Sequence, residues 1–287
     1  MQRSNLRCPN MKVQDIWAVS ERLDILFSLL PKRIQNRRKG SYLRALTTEY
    51  MDYMTRSNTV TEQQAAEIGR AILAIRRTAC SIEALYGRPI DSNIVHHSLF
   101  GEMENLFGNS QQAFDAVDFT LFTAALVSRR AELPVLFIPP TDHPSPDLRV
   151  SELCYIECKD LSVGSAANIQ LGVRDRLEDA REQLRSAQEG ARLPAAGVAM
   201  DVPLLLVGAE HVHSSEAIHN ASEVIRQTLT STGPIDFALL SISGIHKTTG
   251  IVSFPHRLAV FTRPTLPSKI LSLLGKLTPD SRVHICP

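Results

Sequence analysis

The chain has 287 residues, 44% hydrophobic and 21% charged, with a formal net charge of +1. This is the composition of a globular protein with one large core or two smaller ones, and it excludes collagen-like, charge-driven disordered and disulfide-scaffold classes. No global positive charge argues for nucleic-acid binding. No apolar run reaches the roughly 18 residues of a membrane span and no signal-peptide core follows the N-terminus, so a cytoplasmic protein without a membrane partner is expected.

Helical runs over about 12–30, 41–56 and 61–86, with no convincing strand among them, give an all-helical N-terminal region over residues 1–91. Within it Lys32, Arg33, Arg37, Arg38 and Lys39 form a basic cluster, and residues 1 to 60 hold eleven basic against five acidic side chains. Such a patch suits phosphate contact, and equally a solvated loop between two helices. Pro89 and Asp91 mark the junction, and Ser92 is placed to cap a helix over 93–107.

An α/β core is expected over 92–265. A helix over about 111–130 leads into a short apolar strand at 133–138. Pro139, Pro140, Pro144 and Pro146 then impose a turn region, because proline fixes φ and removes a ladder donor. Residues 153–159 are rich in strand formers, and alternation places Tyr155, Glu157 and Lys159 on one face with Cys154, Ile156 and Cys158 on the other. Ile169, Val173, Leu177, Ala180, Leu184 and Ala187 space an amphipathic helix over 168–189. Strands at 197–202 and 204–207, a helix over 214–231 and strands at 236–243 and 251–262 follow, leaving 266–287 as a C-terminal tail.

A carboxylate and an ammonium facing the same way on a buried strand are costly unless they have partners or a task. Asp147 follows the proline turn, and nine residues separate it from Glu157. Mg²⁺ usually takes one or two carboxylates plus water and substrate phosphate, and Asp147 and Glu157, with the backbone carbonyl of Cys158, could provide the protein's share. Lys159 is then suited to orient or deprotonate a water, or to offset charge in a phosphoryl transition state.

With Pro146-Asp147 and Glu157-Cys158-Lys159 in this arrangement, the sequence resembles the PD-(D/E)XK nuclease superfamily. The resemblance implies a restriction-endonuclease-like mixed central sheet flanked by helices, in the order helix, acid-bearing hairpin, third strand, helix, strand. It implies a metal-dependent nuclease, acting on DNA more than RNA, in which Asp147 and Glu157 bind Mg²⁺ or Mn²⁺ with the Cys158 carbonyl and Lys159 assists. Members often carry another acid on the first core helix, for which Asp118 is the candidate metal ligand, beside Asp115, Glu104 and Glu102. Gln183 or Arg181 stands where many members place Gln or Lys on the second helix. Arg174, Arg181 and Arg185 are expected along the substrate path, the basic cluster at 32–39 adds nucleic-acid contacts, and a homodimer would suit a double-strand cutter. The alternative is a catalytically inactive module of this fold that binds a protein or nucleic acid.

Other chemistries find less in the residues. His211, His213 and His219 lack the cysteines or acids of a zinc site. Phosphate-loop, serine-hydrolase and dinucleotide fingerprints do not occur. The five cysteines are odd in number and scattered, against a disulfide framework, and Cys154 and Cys158 read as core residues.

Overall fold

The structure, a computed structural model, describes residues 42, 45, 48, 74, 77, 78, 80, 81, 84, 85, 111–138, 144–161, 169–206, 211–248, 251–253, 256–278 and 283–286. All described residues before 111 are helical. The core then runs α1 (Gln111–Ala131), β1 (Val135–Phe137), β2 (Leu148–Val150), β3 (Cys154–Asp160), α2 (Ile169–Gly190) and β4 (Ala195–Leu206). It continues with α3 (His211–Thr230), β5 (Phe237–Thr248), β6 (Ile251–Ser253), β7 (His256–Thr262), α4 (Ser268–Leu277) and β8 (Val283–Ile285).

The eight strands form one mixed sheet in the order β1-β2-β3-β4-β5-β7-β8, with β6 paired to β5. β1, β2 and β3 are antiparallel neighbours, and β3, β4 and β5 run parallel. β7 returns antiparallel to β5, and β8 lies parallel to β7. Parallel neighbours need crossovers, supplied by α2 between β3 and β4 and by α3 between β4 and β5. Both helices bury their apolar stripes on the same face of the sheet, with Val173, Leu177 and Leu184 of α2 and Ala221, Val224 and Ile225 of α3 in one cluster. The opposite face is covered by α1 and α4, with Phe114, Leu121 and Val127 of α1 and Ile270, Leu273 and Leu274 of α4 in the other cluster.

Three differences from the sequence expectations have simple causes. The strand pieces at 197–202 and 204–207 are one strand, β4, through Pro203. Residues 251–262 divide into β6 and β7, the first pairing with the far end of β5 and the second with its near end. The described residues of the expected tail, 266–278 and 283–286, belong to the core: Leu266, Ile270, Leu273, Leu274 and Leu277 are buried on the sheet, and β8 extends it. That stretch has the apolar three-to-four spacing of a packed helix.

Residues before the expected junction at 91 also join the core. Ala74 and Leu85 are buried in the cluster that holds α1, and the Tyr42 ring lies 5.5 Å from that of Phe114. No helix among the described residues is long and apolar enough to cross a membrane.

Gly197 shows how closely the parallel strands are packed. It pairs in register with Phe237, and a Cβ there would lie 2.2 Å from the buried ring. Gly197→Ala is therefore expected to destabilise by about 2 kcal/mol through overpacking. Exposed Gly275, in the interior of α4 with nothing within 4 Å of a new Cβ, is expected to gain about 0.5–1 kcal/mol on substitution by alanine. Urea unfolding of the two variants checks both signs.

Candidate functional site

Asp147 leaves the proline turn just before β2, which pairs antiparallel with β3 so that Leu148 faces Ile156. This register carries Asp147 to the level of Glu157 and Cys158. The Cys158 amide donates to Asp147 Oδ2 at 2.7 Å, and the Asp147 amide donates to Glu157 Oε2 at 3.2 Å. Lys159 Nζ lies 2.8 Å from Glu157 Oε1. Lys159 also donates to Gln183 Oε1 of α2 at 2.5 Å, and Gln183 Nε2 donates to the Ser145 carbonyl at 3.3 Å. The three residues singled out by spacing therefore meet, and one helix residue ties them to the proline turn.

The expected alternation on β3 is borne out. Cys154, Ile156 and Cys158 pack with the α1 cluster, while Tyr155 belongs to the α2 and α3 cluster and Lys159 reaches α2. Burial holds the Cys158 thiol well above its usual range, with the charges of Asp147 and Glu157 adding, and it hydrogen-bonds Thr120 and Thr123. Burial pushes the Cys154 thiol up to about 12. Cys154 is buried in the core and Cys158 packs against it.

The carboxyls sit far from their solution behaviour. Glu157 has 2% of its side chain exposed. Burial, reinforced by the charge of Asp147, pushes it up to about 8, with Lys159 opposing. Asp147 is also raised by burial, against the Cys158 amide and the Lys159 charge. Both carboxyls are thus held above their usual range chiefly by burial, with Lys159 as the cation that opposes the shift in each.

Asp118 does not join these residues. It is fully buried, its Oδ1 accepts from Thr78 at 2.6 Å and its Oδ2 from Arg77 Nε at 2.5 Å. Burial raises its carboxyl, with Arg77 opposing. The same guanidinium bonds Asp201 of β4, whose other oxygen accepts from Ser241 of β5 at 2.8 Å. Asp160, Asp201 and Ser241 follow one another in register across β3, β4 and β5. Burial, then the charge of Asp201, pushes Asp160 up to about 8, and Asp115 and Asp118 add to it. A second polar cluster thus lies on the α1 face, behind the first. Sequence reasoning missed it, although Asp201 interrupts an otherwise apolar strand; nothing local marks Arg77.

On α2 the residue that meets Lys159 is Gln183. Arg181 instead donates to Ser231 Oγ at 2.8 Å. At about 100° per residue, Arg174, Arg181 and Arg185 lie some 160–180° around the helix from Gln183, across the buried stripe. The three arginines therefore do not line the Lys159 side, contrary to expectation. Arg176, seven residues before Gln183 and half-exposed in a 3.6 Å pair with Asp179, is the arginine on that flank. Glu102, Glu104 and the basic residues at 32–39 lie outside the described residues.

Among the described residues no group of three or more His, Cys, Asp or Glu is arranged to hold a metal ion. The available donors at the first cluster are two carboxylates and the Cys158 carbonyl. No family model, curated protein or solved structure matches the chain.

The raised carboxyl gives a pH signature. A folded-state value near 8 for Glu157, above its ordinary 4.5, means that the folded state binds the extra proton between those values. Stability from this group is present below pH 4.5 and lost as pH rises through 8. In metal-free buffer the melting temperature is expected to fall from pH 5 to 8, and Glu157→Gln to reduce that slope by up to about 1.4 kcal/mol per pH unit, the limit for one proton. Paired thermal melts across this range test it.

Proposed function

We propose that the chain is a metal-dependent nuclease of restriction-endonuclease-like fold, with Asp147, Glu157 and Lys159 at its centre. The observation that carries this reading is the meeting of a buried carboxyl, Glu157, a half-buried one, Asp147, and one ammonium at β3 and the turn before β2, with Gln183 of α2 holding the ammonium. The order α1, β1, β2, β3, α2, β4 supports it, being the order the resemblance implies.

The donor set fits Mg²⁺ or Mn²⁺ in the manner of an ion that keeps most of its shell for water and substrate phosphate. Asp147 and Glu157 would hold it with the Cys158 carbonyl. When bound, such an ion activates water and neutralises phosphate charge. Its charge would also complete the ionisation of two carboxyls that burial holds above their usual range. Lys159 would orient the attacking water or offset charge on the phosphoryl oxygens. Gln183 fixes where the ammonium stands.

A second reading has its own observation. Lys159 and Glu157 form a nearly buried pair, their side chains 15% and 2% exposed, that neutralises itself. Such a pair also suits a non-catalytic module of this fold that binds a protein or nucleic acid.

Incubation with double- and single-stranded DNA and with RNA in Mg²⁺ or Mn²⁺ separates the two. Cleavage is expected on DNA, with Asp147→Ala and Lys159→Ala each lowering the rate at least about 100-fold, and Gln183→Ala by roughly 10-fold. Cleavage untouched by the first two substitutions removes them from the mechanism, and no cleavage of any substrate favours the module. Arg176→Ala is expected to weaken DNA binding and lower the salt slope by about one, while Arg174→Ala leaves both unchanged. Fluorescence anisotropy across a salt series checks that contrast.

A further inference from the structure

The second cluster has the make-up of a recognition site with its ligand in place. The Arg77 guanidinium gives Nε to Asp118 and Nη1 to Asp201, joining α1 to the central strand β4. It lies 5.7 Å from the centroid of the Phe119 ring and 5.9 Å from that of Phe122. The two carboxylate oxygens it leaves are taken by Thr78 and Ser241. The planar fork of an arginine and its affinity for aromatic faces suit this arrangement better than the compact charge of a lysine. Burial alone would lower the guanidinium's proton affinity, yet the two carboxylates hold it charged. Arg77 is the donor of an N-terminal helical residue whose neighbours Ala74 and Leu85 pack on the same core.

We propose that the α/β core carries a guanidinium-binding site, formed by Asp118, Asp201, Phe119 and Phe122, which Arg77 fills in cis and which fixes where the N-terminal helical segment docks. Apolar contacts at Ala74 and Leu85 are non-directional and permit a helix to slide or turn. A two-pronged charged contact permits one placement. Arg77 thus reaches β4 on the sheet face opposite the one that carries Glu157 and Lys159. This inference stands apart from the nuclease reading, since it needs neither metal nor substrate.

The test uses the full chain. Arg77→Ala leaves the two acids without their cation and is expected to lower the melting temperature by roughly 10 °C. Millimolar ethylguanidinium is expected to restore several degrees, saturably, while ethylammonium at the same ionic strength does not. Adding Asp201→Asn to Arg77→Ala is expected to abolish the recovery, and wild type is expected to show none. Absence of saturable recovery, equal recovery with ethylammonium, or recovery that persists without Asp201 overturns the proposal. Where Arg77→Ala yields no folded protein, Arg77→Lys decides: a loss of roughly 5 °C supports the fork-specific site, and a melting temperature equal to wild type overturns it.

Discussion

Glu157 stays in the sheet because Lys159, two residues along the same face of β3, lies 2.8 Å from it. Removing a carboxylate from water costs several kcal/mol even after relaxation, and a partner at contact distance offsets only part of that. The remainder is spread over neighbours that must themselves be fixed: the Asp147 amide on one oxygen of Glu157, and Gln183 on the ammonium. The β2 and β3 register, the proline turn and the placement of α2 therefore act as one unit, and a shift of one residue along the ladder would break every contact in it.

The next residue of the same strand meets the same difficulty on the other face. Asp160 joins Asp118 and Asp201, and the answer there is Arg77, from a segment some 80 residues earlier in the chain. β3 thus carries charge on both faces near its end, one face compensated by Lys159 of the strand itself and the other by Arg77 of the N-terminal helical region. The parallel ladder through β4 and β5 supplies the rigid frame, with Gly197 against Phe237 closing it without slack.

A sheet built for stability alone would replace both clusters with apolar side chains of similar volume, which is often neutral or favourable. Their persistence on adjacent residues of one strand is the physical ground for reading the α2 face as a site. The α1 face is different in kind, because every oxygen of Asp118 and Asp201 has a donor within the chain. Both clusters hold raised carboxyls, Glu157 in one and Asp160 in the other, but only the second has a guanidinium seated between two of its acids.

The sequence by itself determined the α/β class, most helices and strands of the core, and the shared face of Glu157 and Lys159, because these follow from periodicities of 3.6 and 2 that each segment carries locally. It also pointed to Asp147, since a proline turn and a hairpin's length suffice to bring it back to β3. Long-range placement was not local information. The merging of two strand pieces through Pro203, the packing of residues 266–278, the choice of Gln183 over Arg181 and the capture of Asp118 by Arg77 each depend on which surfaces meet, and only the tertiary structure decided them. Helical spacing fixes which residues share a stripe, but what that stripe faces is set by the crossover connections and by the burial of charge beside its partner.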